Sequence, residues 1–242
     1  MQRLILGISV LIAALAGFIS AQFIGTTPTH ALISVVFLIV LMIPSAYGFV
    51  RERGFIKGIL GLISLGLFAF LFESLALKTG VPYGHFAYSD LLGPTWMGLA
   101  PFTVPFAWTP FILLAGMITE RFKGGWLKTV LFGTLILLVC DLIVDPIAVK
   151  VGFWHWERVG VYYGIPLSNF LGWMLSGAIG MGIWRVYSTK KRDSVSKEML
   201  AFSALSTISF FTGLGIYYRF LIPVLCGVGL IVYVLRRDKS GN

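Results

Sequence analysis

Long runs of apolar residues alternate along the chain with short charged or aromatic connectors. A membrane-spanning helix needs ~20 mostly apolar residues. Eight stretches meet or approach that length: 4–24, 31–50, 57–77, 98–118, 127–149, 165–187, 199–217 and 220–235. The last is short and begins beside Pro223. Because the runs are continuous and do not alternate, a transmembrane barrel is excluded. The pattern predicts an all-α integral membrane protein of about eight transmembrane helices, a single polytopic membrane domain over 1–242 with its motif-bearing core at about 57–187. The first run has the outline of a secretory signal, with Arg3 ahead of it and Ile19-Ser20-Ala21 behind. Its apolar stretch from Leu4 to Ala21 exceeds the ~7–15 residues of a signal core, so it is read as a retained helix.

Composition points the same way. Of 242 residues, 57% are apolar and 12% charged, with a mean hydropathy of +0.90. The charged share is half the ~25% usual in soluble domains, too little to coat a soluble globule. A disordered chain and a disulfide-stapled module are excluded with it. Cys140 and Cys226 lie inside apolar runs without CxxC spacing and read as small buried hydrophobes. A net charge of +9 raises the question of nucleic acid. The basic residues, however, form short clusters between apolar runs, as cytoplasmic loops do, so no nucleic-acid partner is expected. With both termini cytoplasmic, all 19 Lys and Arg except Lys78, Lys150, Arg158 and Arg219 fall on the inner side. That asymmetry predicts N and C termini in the cytoplasm and a multi-pass protein of the plasma membrane.

Two outer segments look alike. The third span ends Glu73-x4-Lys78-x-Gly80 and the fifth Asp145-x4-Lys150-x-Gly152. An aromatic loop with one histidine follows each: Tyr83-Gly-His85-Phe-Ala-Tyr88 and Trp154-His155-Trp156. Each loop then leads to an aliphatic-Pro pair and a tryptophan: Val104-Pro105 with Trp108, and Ile165-Pro166 with Trp173. This predicts an internal repeat, spans 3–4 and 5–6, with the outer ends of both units converging on one site.

Glu73 and Asp145 lie five residues inside the loops, ~7 Å below them at ~1.5 Å per residue. Asp141 lies one turn deeper on the face of Asp145. A carboxylate at such depth costs several kcal/mol unless it is paired or protonated. One reading is a salt-bridged staple of helices; the other is a set of acids that hold a proton for transfer in an apolar pocket. Pro146 removes a backbone donor and would kink the fifth span beside Asp145. Phe153, Trp154, Trp156, Tyr162 and Tyr163 are denser than an interfacial belt requires, and aromatic faces stabilise cations. Asn169, three residues after Pro166, is a polar contact to substrate or water, or an interhelical hydrogen bond. His85 and His155 have no carboxylate at i+3 or i+4 and make a poor metal site, so no metal is expected. P-loop, dinucleotide, HExxH and GxSxG patterns are absent from the sequence.

Several of these motifs together carry a resemblance: Glu73…Lys78-x-Gly80-x-Pro82-x-Gly84-x3-Tyr88, Asp141-Leu-Ile-Val-Asp145-Pro146, Gly152-Phe-Trp154-His-Trp156 and Tyr162-Tyr-Gly-Ile-Pro166-Leu-Ser-Asn169-Phe-Leu-Gly-Trp173. Over roughly 60–185 the chain resembles the CruF-type carotenoid biosynthesis proteins, a group that includes γ-carotene hydratases of bacteria and bisanhydrobacterioruberin hydratases of halophilic archaea. The resemblance implies a lipid-soluble carotenoid substrate taken from the bilayer. It also implies addition of water to a terminal C=C without a cofactor, and other carotenoid-biosynthesis enzymes as candidate partners. In that chemistry a carboxylic acid protonates the alkene, aromatic faces shelter a tertiary cation, and water held by a carboxylate or Asn169 adds. Glu73, Asp141 and Asp145 are the candidate catalytic acids, with Asp141 favoured as donor and Asp145 as the group that orients water. Tyr83, His85, Tyr88, Trp108, Trp154, Trp156, Tyr163, Asn169 and Trp173 are the candidate substrate-binding residues. Two alternatives remain open at this point: a carotenoid end-group cyclase or isomerase, in which an internal alkene captures the same cation, and a small proton-coupled transporter.

The charge asymmetry generates a direct test. Cysteines at positions 90 and 193 should be labelled from opposite sides of the membrane, position 90 from outside. Equal labelling of both from outside overturns the topology.

Overall fold

A computed structural model describes residues 2–25, 27–120, 125–188 and 194–236. Among them are eight α-helices: α1 (Gln2–Ser20), α2 (Pro28–Arg53), α3 (Phe55–Thr79), α4 (Val104–Thr119), α5 (Trp126–Lys150), α6 (Leu167–Val186), α7 (Ser194–Tyr218) and α8 (Leu221–Arg236). Two short strands, β1 (Phe86–Tyr88) and β2 (Trp154–Trp156), lie in the connectors after α3 and α5. Of the cations expected on the inner side, Arg121, Lys123, Lys190, Lys191, Arg192, Arg237 and Lys239 lie outside the described residues, as does the labelling position Asp193.

Each helix covers one of the eight apolar runs. Four are long and apolar enough to cross a membrane: α2, α3, α5 and, over Lys197–Tyr218, α7. The largest shift from sequence is at α4, expected from 98 but starting at Val104. Met97 and Gly98 take positive φ, 55° and 67°, and Thr95 bridges Pro101, so the chain turns back on itself before the helix can start. Lipid-facing residues are apolar, as on α3, where Leu60, Leu67 and Leu71 are exposed while Gly61, Leu65 and Ala69 are buried. An apolar exterior is what a bilayer solvent favours and water does not.

Helix α4 is buried from Trp108 to Thr119, and α7 packs against α1, α2, α4, α5 and α8. Hydroxyls on α7 cannot rely on water there. Those of Thr207, Ser209 and Thr212 donate to carbonyls one turn back, on Ser203, Leu205 and Ile208, at 3.0, 2.6 and 2.7 Å. Helices α1 and α7 cross with their backbones nearly touching. A Cβ on Gly17 would lie 2.0 Å from the Phe210 carbonyl oxygen, and one on Gly213 would lie 1.9 Å from that of Ala14. Small residues permit such an approach between helices in lipid.

Arg53, counted in sequence as a loop cation, is the last residue of α2 and is buried. It pairs with Glu52 at 3.5 Å and Glu120 at 3.3 Å, and its guanidinium lies 5.0 Å from the Phe49 ring and 5.4 Å from that of Trp184. Those partners compensate its loss of water. Cys140 is buried and free, as expected, whereas Cys226 is only half-buried.

The crossing of α1 and α7 can be tested with the smallest possible side chain. Gly17→Ala and Gly213→Ala should each lower stability by about 1–3 kcal/mol through overpacking, read as a lower thermal midpoint in detergent. Gly7→Ala, with nothing within 4 Å of its added Cβ, should not.

Candidate functional site

The connectors after α3 and α5 are held together by a two-stranded ribbon. β1 and β2 pair antiparallel, with Phe86 opposite Trp156, Ala87 opposite His155 and Tyr88 opposite Trp154. The ribbon continues through Ser89, whose N–H and hydroxyl both donate to the Phe153 carbonyl at 2.9 and 3.2 Å. Alternation along each strand sends one set of side chains inward. Trp156 is buried and Trp154 half-buried, while His155 is exposed. The ribbon therefore roofs the space between α3, α4, α5 and α6.

That space is a cavity of about 90 Å³, walled on the helix side by Glu73, Trp108, Asp141, Asp145 and Asn169. All three acids are buried. Asp141 and Asp145 stand one turn apart on α5, on the buried stripe that also carries Leu137, Cys140, Val144 and Ala148. Asn169 reaches both from the first turn of α6. Its Nδ2 donates to the two Asp141 oxygens at 3.2 Å each and to Asp145 Oδ2 at 2.8 Å. The two carboxyls also lie within hydrogen-bonding reach of each other.

Glu73 faces them from α3. Trp108 Nε1, on α4, donates to its Oε1 at 3.1 Å, and the Tyr88 hydroxyl, on β1, donates to its Oε2 at 3.0 Å. Burial, and then the neighbouring Glu73 carboxyl, push the Tyr88 phenol well above its ordinary range, so it stays a donor at any physiological pH. Among the described residues none of the three acids is in an ion pair, which removes the salt-bridged staple as the account of their burial.

The arrangement revises one sequence equivalence. Trp108 and Trp173 read as matching positions of the two units, yet they stack directly, with centroids 4.4 Å apart and planes at 6°. The position that matches Trp108 is Asn169. Each lies three residues after a proline near the start of its helix, and each donates to the acid of the preceding helix.

Of the aromatic residues named from sequence, Tyr83, Tyr88, Trp108, Trp154, Trp156 and Trp173 line the cavity. Tyr83 is held there by α6: its ring covers Gly172, where a Cβ would lie 2.3 Å from it, and its carbonyl accepts from the Ser168 hydroxyl at 3.0 Å. His85 and Tyr163 do not line it. The exposed His85 ring lies over the left-handed Gly80 that ends α3, and Tyr163 stacks on Phe220 at 4.6 Å. Sequence reasoning missed Phe86, Thr103, Phe111, Cys140 and Val144 as wall residues. The last two share the 3.6-residue stripe of Asp141 and Asp145, and Phe111 lies one turn after Trp108 on α4, both legible signals; Phe86 and Thr103 depend on how the connector folds. It also missed the task of Tyr162. Pro146 has no N–H, so the Leu142 carbonyl lacks its helical donor, and the Tyr162 hydroxyl supplies one at 2.9 Å.

A buried cavity with clustered carboxyls, neutral donors and aromatic walls suits proton transfer to an apolar molecule. Trp156 Nε1 and the Tyr83 hydroxyl are buried there without a hydrogen-bond partner, so two polar positions remain for water or a substrate oxygen.

Comparison with known proteins gives two findings. A family model described as "Carotenoid biosynthesis protein" matches residues 29–234. A curated protein, the bisanhydrobacterioruberin hydratase of Haloarcula japonica, is 30% identical over 183 residues. That alignment takes in 71% of this chain and 62% of the relative, so the chain spans less than two thirds of the relative's length. No solved structure matches.

The two donors on Glu73 can be separated experimentally. Tyr88→Phe and Trp108→Phe should each lower the thermal midpoint by an amount equivalent to about 1 kcal/mol, because one donor remains. The double variant should lose more than the sum, because Glu73 is then buried without a partner. Strict additivity would show that the two donors do not act on one group.

Proposed function

The chain belongs to the carotenoid biosynthesis protein family, and from that premise we propose that it is a membrane-embedded hydratase adding water across the terminal C=C of an acyclic carotenoid end group. The observation that carries this reading is the convergence of Asp141 and Asp145 on the single Asn169 amide inside a buried aromatic pocket. The hydratase named among its relatives supports the same reaction class.

The reaction balances with water alone. Asp141 gives its proton to the less substituted alkene carbon, forming a C–H bond and leaving a tertiary cation on its neighbour. Trp154, Trp156 and the stacked Trp108–Trp173 pair surround that cation with π faces, which stabilise it without attacking it. Glu73 faces the cation from the opposite wall. Water oriented by Asp145 then forms the C–O bond, and its surplus proton returns to the carboxyl pair, which restores Asp141. Asn169 donates to both carboxyls and fixes their geometry throughout. The preceding residue, Cys140, lies in the same wall but is a poor proton donor beside two carboxyls.

The topology that accompanies this reading is a single polytopic domain of eight spans in the plasma membrane, with both termini cytoplasmic and the pocket toward the outer face. Other enzymes acting on carotenoids are its proposed neighbours in the membrane.

The test is expression in a host that makes an acyclic carotenoid, followed by mass spectrometry of the pigment. The wild-type chain should yield pigment heavier by one water per modified end. Asp141→Asn, Asp145→Asn and Glu73→Gln should each reduce hydration, the first two by ~10²–10⁴-fold, at unchanged protein level and membrane insertion. A ring-ended pigment of unchanged mass would assign a cyclase instead. Undiminished hydration in all three variants would make the acids structural.

A further inference from the structure

The acid pocket, at about 90 Å³, holds only a few water-sized groups. It can take the reacting end of a long hydrocarbon but not its length. A second cavity of about 340 Å³ lies alongside, bounded by α1, α2, α4 and α7. Leu92, Ala107, Phe111, Val144 and Trp154 wall both spaces, so the two adjoin across a shared neck of side chains.

The larger cavity follows from the helix packing. Among the described residues α1 and α2 each pack extensively along α7, whereas any packing of α1 on α2 is slight. The gap between them is floored by Phe210 and Phe211 of α7 and backed by Phe106 of α4. Its walls are apolar over most of their extent; of the polar side chains among them, Ser20, His30 and Thr207 are already bonded to Gly17, Thr27 and Ser203, and Ser34 is the fourth. At the rim, Phe23, Ile33 and Phe37 are 67%, 60% and 39% exposed. The space therefore reaches the apolar outer surface between α1 and α2.

We propose that this groove is the channel for the polyene chain of a linear isoprenoid substrate, entered sideways from the lipid between α1 and α2 and delivering only the terminal alkene through the neck to Asp141 and Asp145. The proposal rests on the hydratase reading for what happens at the inner end. The occupant follows from three features together: an apolar wall, a mouth on the lipid-facing surface, and continuity with a polar pocket too small for more than an end group. A water-soluble ligand would find almost no hydrogen-bond partners along this route.

Pigment retention and hydration, measured together, separate the two proposals. Ser34→Phe fills the wide part of the groove and Ala107→Phe the neck. Both proteins, purified in mild detergent from the carotenoid-producing host, should carry about tenfold less pigment per protein and show a similar fall in hydration. Val36→Phe, on the lipid face of the same helix as Ser34, should match wild type in both. Asp145→Asn should keep its pigment and lose hydration. If Ser34→Phe and Ala107→Phe retain and hydrate pigment as Val36→Phe does, the channel is wrong and the hydratase reading stands. If wild type hydrates nothing, the hydratase reading falls, and pigment lost only from the groove variants still upholds the channel. Should Ala107→Phe fail to accumulate, Ser34→Phe decides alone.

Discussion

Three carboxyl groups kept out of water inside an apolar bundle are the constraint around which the end of the bundle that carries the aromatic connectors is arranged. Each would cost several kcal/mol if it were left without partners. Among the described residues, no Lys or Arg neutralises them. Neutral donors do: the Asn169 amide for the Asp141–Asp145 pair, and the Trp108 indole with the Tyr88 phenol for Glu73. A neutral donor lowers the cost of burial without fixing a carboxyl as half of a salt bridge, so its proton remains exchangeable.

Supplying those donors makes demands on the rest of the fold. Asn169 must come from the first turn of α6 and Trp108 from the start of α4, so both helices have to begin at the level of the acids. Tyr88 comes from a connector, and the ribbon with β2 holds that connector in place. Pro146 leaves a carbonyl without its donor in the very helix that carries two of the acids, and Tyr162 from the second connector supplies one. The aromatic connectors thus complete the polar wiring of the helices as well as roofing the pocket.

The helices around α7 answer a different requirement. Glycine contacts let α1 lie directly on α7, and α2 packs along the same helix. The space left between α1 and α2 would be a liability in water. In lipid it is a route along which an apolar chain can move.

The sequence alone determined the helices, because uninterrupted apolar runs of spanning length have few other physical solutions. It also marked Glu73, Asp141 and Asp145, because charge inside such runs is costly enough to stand out, and the i, i+4 relation of the two aspartates is a property of any helix. It could not choose among the uses of the aromatic residues. His85 and Tyr163 have the same local surroundings in sequence as Tyr83 and Trp156, yet they point elsewhere, because strand alternation and loop path set their direction. Nor could spacing reveal that Asn169 is the counterpart of Trp108, since an amide and an indole share only a donated hydrogen. The neck between the two cavities belongs wholly to the tertiary structure. Its walls come from α4, α5, β2 and the segment around Leu92, residues far apart along the chain that meet only once the helices have packed.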